Sequence, residues 1–119
     1  MRIPYHHLCA LALSMLVTAM SHAGKDIRVF VFAGQSNMEG ADSKVADVER
    51  FPPFRGVTAP RADVRFWHVI GREDKADSKG WVPLQPVRGM VGPELVFARD
   101  VTDATKGDIA IVKAAAGGT

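Results

Sequence analysis

Ser36 is the residue in this chain best placed to do chemistry. It sits between two amides, Gln35 and Asn37, two positions after Gly34 and four before Gly40. The apolar run Val29-Phe30-Val31-Phe32-Ala33 precedes it. A strand that ends in a glycine and delivers a serine two residues later presents a hydroxyl at the carboxyl end of a sheet, where open α/β sheets bind ligands. A serine hydroxyl becomes a useful nucleophile only when a base takes its proton and N–H donors receive the oxyanion. The Ser36 amide is itself one such donor. The spacing is not that of the G-x-S-x-G elbow, because Met38 stands where the second glycine would be. Local residues alone fit equally well a serine that caps a turn or a short helix.

Partners for such a serine are scarce. His6, His7 and His22 fall in an N-terminal leader, which leaves His68, on the apolar side of an expected strand beside Trp67. A lone histidine there reads as a packed side chain, not a base. Asp42, Asp47 and Glu49 read as solvated surface acids. Glu73, Asp74 and Asp77 form a charged loop without the glycine and spacing of a calcium loop. Trp67 and Trp81 read as packing residues, although an indole can also stack on a sugar ring.

Residues 1–23 read as an export signal. Arg2, His6 and His7 give a basic start, Leu8 to Met20 is uncharged and too short to span a bilayer, and Ser21-His22-Ala23 is a small-x-small cleavage pattern. The expected mature unit is residues 24–119, exported to the periplasm or secreted. The chain's only cysteine, Cys9, lies in the leader. The mature chain therefore has no disulfide, thiolate nucleophile or cysteine metal site. A formal net charge of +2 for the whole chain argues against nucleic acid or an anionic membrane as partner.

The elements that must position Ser36 follow from hydrophobic patterning. Ile27 to Ala33 reads as a strand covered on both faces. Gly34 to Asp42 is the turn carrying Ser36, and Val45 to Arg50 a short helical piece stopped by Pro52-Pro53. Asp63 to Ile70 alternates as a strand, with Val64, Phe66, His68 and Ile70 on one side. Gly71 to Gly80 is a polar loop, and Trp81 to Leu84 is extended. Gly92-Pro93-Glu94 opens a helix, with Pro at the first position and a carboxylate in the first turn. It runs to Thr105, with Gly107 as the left-handed cap. Ile109 to Ala114 is a further strand running into Gly117-Gly118-Thr119. This alternation predicts an α/β fold with a mostly parallel sheet. A chain that stops directly after a strand reads as part of a longer domain.

Three blocks, in order, resemble a known family. They are Gly34-Gln35-Ser36-Asn37-Met38-x-Gly40, Gly92-Pro93-Glu94-Leu95, and Ile109 to Lys113 followed by Gly117-Gly118-Thr119. Together they are similar to the N-terminal portion of SGNH-type carbohydrate esterases of the sialate O-acetylesterase-like (SASA) family. The resemblance implies a flavodoxin-like three-layer α/β/α fold, here ending after about the third strand. It implies hydrolysis of acetyl esters on carbohydrates, sialate or xylan-type, with Ser36 as nucleophile and no metal or cofactor. The oxyanion donors it implies are the Ser36 amide and Gly117 or Gly118, and it places Gln35, Asn37 and Glu94 near the active site. Two later blocks of the family, a Gln-Gly-Glu sequence and a D-x-x-H carrying the base and its orienting acid, do not occur in these 119 residues. The same scaffold without a base would be an exported carbohydrate-binding domain.

Overall fold

The computed structural model describes residues 25–118. The leader read over residues 1–23 and the terminal Thr119 lie outside the described residues. The elements, in chain order, are β1 (Arg28–Gly34), α1 (Ser36–Glu39), α2 (Val45–Val48), a 3-10 turn (Pro52–Phe54), β2 (Arg61–Ile70), β3 (Ala76–Asp77), β4 (Val82–Leu84), α3 (Pro93–Thr105) and β5 (Ile109–Ala115). The class is α/β, as the alternation of apolar strands and one long amphipathic helix requires.

The sheet is built around the last strand. β5 lies between β1 and β2 and pairs with both in parallel. β3 and β4 are short antiparallel additions to β2. β5 can occupy the centre because Ile109, Ala110, Ile111 and Ala115 are apolar and buried. Pairing on both sides satisfies its backbone donors and acceptors.

The core lies on one face. Val64 and Phe66 of β2, Ile109 and Ile111 of β5, and Leu95 and Ala98 of α3 are all buried. Phe97 of α3 meets the rings of Phe30 and Phe32 edge-on, with centroids 4.8 and 5.1 Å apart. These contacts seat α3 across β5 and β1. Offset edge-on geometry lets the positive rim of one ring face the negative π-face of another.

The structure corrects several sequence expectations. β1 is not covered on both faces: Phe30 and Phe32 point to α3, but Val29 and Val31 are 57% and 70% exposed. β1 is an edge strand among the described residues, and no helix covers that face of the sheet there. Hydrophobic composition reports what a face requires, not what lies on it. Lys106, not Gly107, takes the left-handed turn after α3 (φ 52°), its N–H bonded to the Thr102 carbonyl. The helix ends at Thr105, so the reversal falls on the next residue whatever its type. α2 ends at Val48, not Arg50, and the loop after β2 contains the two-residue strand β3.

Leu95 carries the contact of α3 with the sheet and is 1% exposed. Leu95→Ala is expected to lower unfolding free energy by about 2–5 kcal/mol. Urea denaturation checks this, with the exposed Phe51→Ala as a control near zero.

Candidate active site

Strand register assembles the site. Gly34 of β1 and Ile70 of β2 both pair with Ala115 of β5. Ser36, Gly117 and Arg72 each lie two residues beyond that row, at the carboxyl ends of three adjacent parallel strands. Ser36 and Gly117 adjoin closely: a Cβ built on Gly117 would stand 3.5 Å from Ser36 Cβ.

Ser36 is the first residue of α1 and is partly exposed. Its hydroxyl caps nothing, since Gln35 holds the cap position and no side-chain capping bond forms. The Ser36 carbonyl closes the turn by accepting the N–H groups of Gly40 and Ala41, each at 3.1 Å. Gly40 is required there on two counts. Its φ is +84°, and a Cβ would lie 2.5 Å from the Val91 carbonyl carbon. Glycine alone combines that backbone with so close an approach.

A buried ion pair underlies this turn. Lys113 Nζ donates to Glu94 Oε1 at 2.7 Å, and both side chains are 1% exposed. Lys113 Nζ also lies 3.4 Å from the Glu39 carbonyl at the end of α1. One ammonium therefore joins β5, the first turn of α3 and the helix that carries Ser36. Gly92 completes the fit, because a Cβ there would overlap both Glu94 Oε2 and Lys113 Nζ. Glu94 is thus a structural carboxylate beneath the site, in the first turn of α3 where the helix dipole also favours it.

The glycine turn after β5 is held from two sides. Gly117 N–H donates to Glu39 Oε1 at 2.9 Å, and Arg72 Nη1 donates to the Gly118 carbonyl at 2.8 Å. The Gly118 N–H has no partner among the described residues. Glu39 and Arg72 escaped sequence reasoning. The signal for Arg72 lay in the register, which puts it two residues past β2 as Ser36 is past β1.

Two clefts flank α1. One, of about 570 Å³, is polar and includes Glu39, Lys44, Arg72, Arg88 and Gly117 in its lining. The other, of about 560 Å³, is apolar and includes Asn37, Met38, Phe51, Phe54 and Val96. Asn37 and Gln35 are both exposed beside Ser36.

The remaining candidates are not brought to Ser36. His68 lies on the α3 side of β2, its ring 4.9 Å from Phe66, and its buried Nδ1 has no partner. Burial, and then the nearby Lys113, hold its pKa below the ordinary 6.5, with Asp77 opposing weakly. Trp67 and Trp81 meet each other edge-on at 5.7 Å. Glu49 was expected as a solvated acid, but it accepts the Gly56 N–H at 3.0 Å together with the N–H and hydroxyl of Thr58. The Thr58 hydroxyl, then the Gly56 N–H, hold its carboxyl below the usual range. It is a loop staple, placed by a chain reversal that local sequence does not reveal. Asp74 pairs with Arg88 at 3.3 Å, and Asp77 accepts the Lys79 N–H at 2.7 Å. Among the described residues no acidic or histidine cluster could hold a metal ion.

A serine on a one-turn helix after a parallel strand thus faces a glycine turn from the neighbouring strand, in an α/β fold. The family model described as carbohydrate esterase, sialic acid-specific acetylesterase (SASA) matches residues 26–119, and the chain belongs to that family. A solved structure of a protein from Arabidopsis thaliana is similar in fold, with a TM-score of 0.51 and 24% identity. The match covers 77% of this chain and 41% of that protein, so the chain spans less than half of the plant protein's length. No curated protein matches.

Two outcomes follow from the buried groups. Lys113→Met strands the Glu94 carboxylate and is expected to destabilise by about 3–5 kcal/mol, whereas Lys113→Met with Glu94→Leu recovers most of that loss. Chemical denaturation of the two variants separates an uncompensated charge from lost packing. For His68 the neutral form is favoured in the fold, so as pH falls below 6.5 the unfolded chain takes up the proton first and stability declines. Urea midpoints measured between about pH 7.5 and 5.5 are expected to fall less in His68→Gln than in the parent.

Proposed function

We propose that this chain supplies the nucleophile half of a serine esterase that removes acetyl groups from carbohydrates. The observation that carries the reading is the juxtaposition of Ser36 with the Gly117–Gly118 turn at one sheet edge. Attack of Ser36 Oγ on the ester carbonyl breaks the bond to the sugar oxygen and leaves an acetyl-serine, which water then hydrolyses. The tetrahedral oxyanion is received by the Ser36 amide and the Gly118 amide, because the Gly117 N–H is already given to Glu39. The sugar is proposed to lie in the polar cleft beside Glu39 and Arg72, since a polyhydroxylated ligand needs donors and acceptors. Hydrolysis of this kind calls on no metal or cofactor. The leader pattern over residues 1–23 supports export, which would place the activity outside the cytoplasm.

No proton acceptor stands beside Ser36 among the described residues. Ser36 Oγ makes no hydrogen bond among the described residues, and His68 is packed on Phe66. Residues 24–119 alone are therefore expected to show no Ser36-dependent turnover, because losing a triad member removes several orders of magnitude of rate.

The test is expression from the whole gene, including whatever follows the codon for Thr119, with an acetylated sugar as substrate. Ser36→Ala is expected to lower kcat by at least about 10³-fold. Hydrolysis that survives this substitution would refute the nucleophile assignment. A correctly folded, inactive parent that still binds the sugar would favour a binding domain on the same scaffold.

A further inference from the structure

We infer that Glu39 is a positioning residue that fixes the Gly117–Gly118 turn against Ser36. The inference deepens the esterase reading and rests on it for its catalytic consequence, but its structural half stands alone.

Glu39 is the last residue of α1, the helix that Ser36 begins, so its backbone moves with the nucleophile. Its side chain reaches across to the turn after β5, where Oε1 accepts the Gly117 N–H at 2.9 Å. A bond to an ionised acceptor is shorter and roughly twice as strong as a neutral one. Glu39 Oε2 would lie 2.9 Å from a Cβ on Gly117, so the carboxylate packs along the turn as well as bonding it. The far side of the turn is held by Arg72, through the Gly118 carbonyl.

Among the described residues, little besides these two contacts fixes the turn. β5 ends at Ala115, and the last ladder-like bond is Ala116 N–H to the Gly34 carbonyl at 3.0 Å. Beyond it the chain is two glycines, Gly118 with a φ of +71°. Two glycines have the greatest backbone freedom to lose on ordering. The carboxylate that orders them comes from the same helical turn as the nucleophile, so hydroxyl and turn are set by one rigid unit. The backbone of that unit is anchored from below by Lys113 at the Glu39 carbonyl. Glu39 thus has its carbonyl on the buried ion pair and its carboxylate on the turn.

The experiment compares the parent with Glu39→Ala and Glu39→Gln, the second of which keeps a carbonyl acceptor. Amide hydrogen exchange by NMR reads the turn directly, with Val112 in β5 reporting global opening. Glu39→Ala is expected to speed Gly117 exchange at least about tenfold relative to Val112, with Glu39→Gln intermediate. Equal Gly117 protection in all three proteins overturns the inference.

The catalytic arm uses p-nitrophenyl acetate and the protein expressed from its whole gene. Glu39→Ala is expected to lower kcat about 10- to 100-fold with KM little changed, as for a misplacement near 1 Å, and Glu39→Gln to restore most of it. An unchanged kcat in Glu39→Ala overturns the positioning role in catalysis. If the parent shows no Ser36-dependent turnover, the esterase reading fails, and the exchange data still decide whether Glu39 holds the turn.

Discussion

The ion pair between Lys113 and Glu94 is the constraint on which the site depends. Two opposite charges, each 1% exposed, are stable in an apolar interior only in contact with each other. That requirement ties the middle strand to the first turn of α3. It also explains Gly92, which must lack a side chain so that the carboxylate and the ammonium can meet beside it. The Glu39 carbonyl takes a further, longer contact from the same ammonium, so the helix that Ser36 begins is indexed to the core and not merely to the loop that follows it.

Parallel register does the rest. In an antiparallel sheet the strand ends alternate between opposite edges, and neighbouring strands rarely deliver three loops to one place. Here β1, β5 and β2 all end on one row, at Gly34, Ala115 and Ile70. A serine, a glycine turn and an arginine converge without any long loop having to find its partner. The same geometry explains why His68 is remote from this chemistry. It precedes the end of β2 and faces the core beside Phe66, where burial and then Lys113 lower its pKa.

Features written in local backbone chemistry were legible in the sequence. The apolar run ending at Gly34, the Pro93 opening of α3 and the alternation of Asp63 to Ile70 each reflect a steric or solvation rule acting over a few residues, and their elements appear within about two residues of expectation. Features that depend on distant partners were not. Glu49 looks like any surface acid until Gly56 and Thr58 fold back onto it. Glu39 looks like a helix-surface residue until β5 brings Gly117 beside it. Lys113 could have been read. Alternation in β5 places it on the same face as Ile109, Ile111 and Ala115, and a lysine on a buried face demands a carboxylate nearby. The exposed side of β1 follows from a related limit: composition does not say which surface another element will reach.

The central place of β5 also bears on the order in which the molecule can be made. β1 and β2 are not paired with each other, and each finds its parallel neighbour in β5, which follows both by about 40 residues or more. During synthesis Arg28 waits for Ile109, and Val64 waits for the same residue. Until then the two earlier strands expose unpaired backbone and half of a core. Closure of a sheet through such distant pairings is slow, since chain entropy is lost before contacts reward it. The nascent chain therefore emerges with Ser36 already outside the ribosome and the Gly117–Gly118 turn that faces it still to be translated.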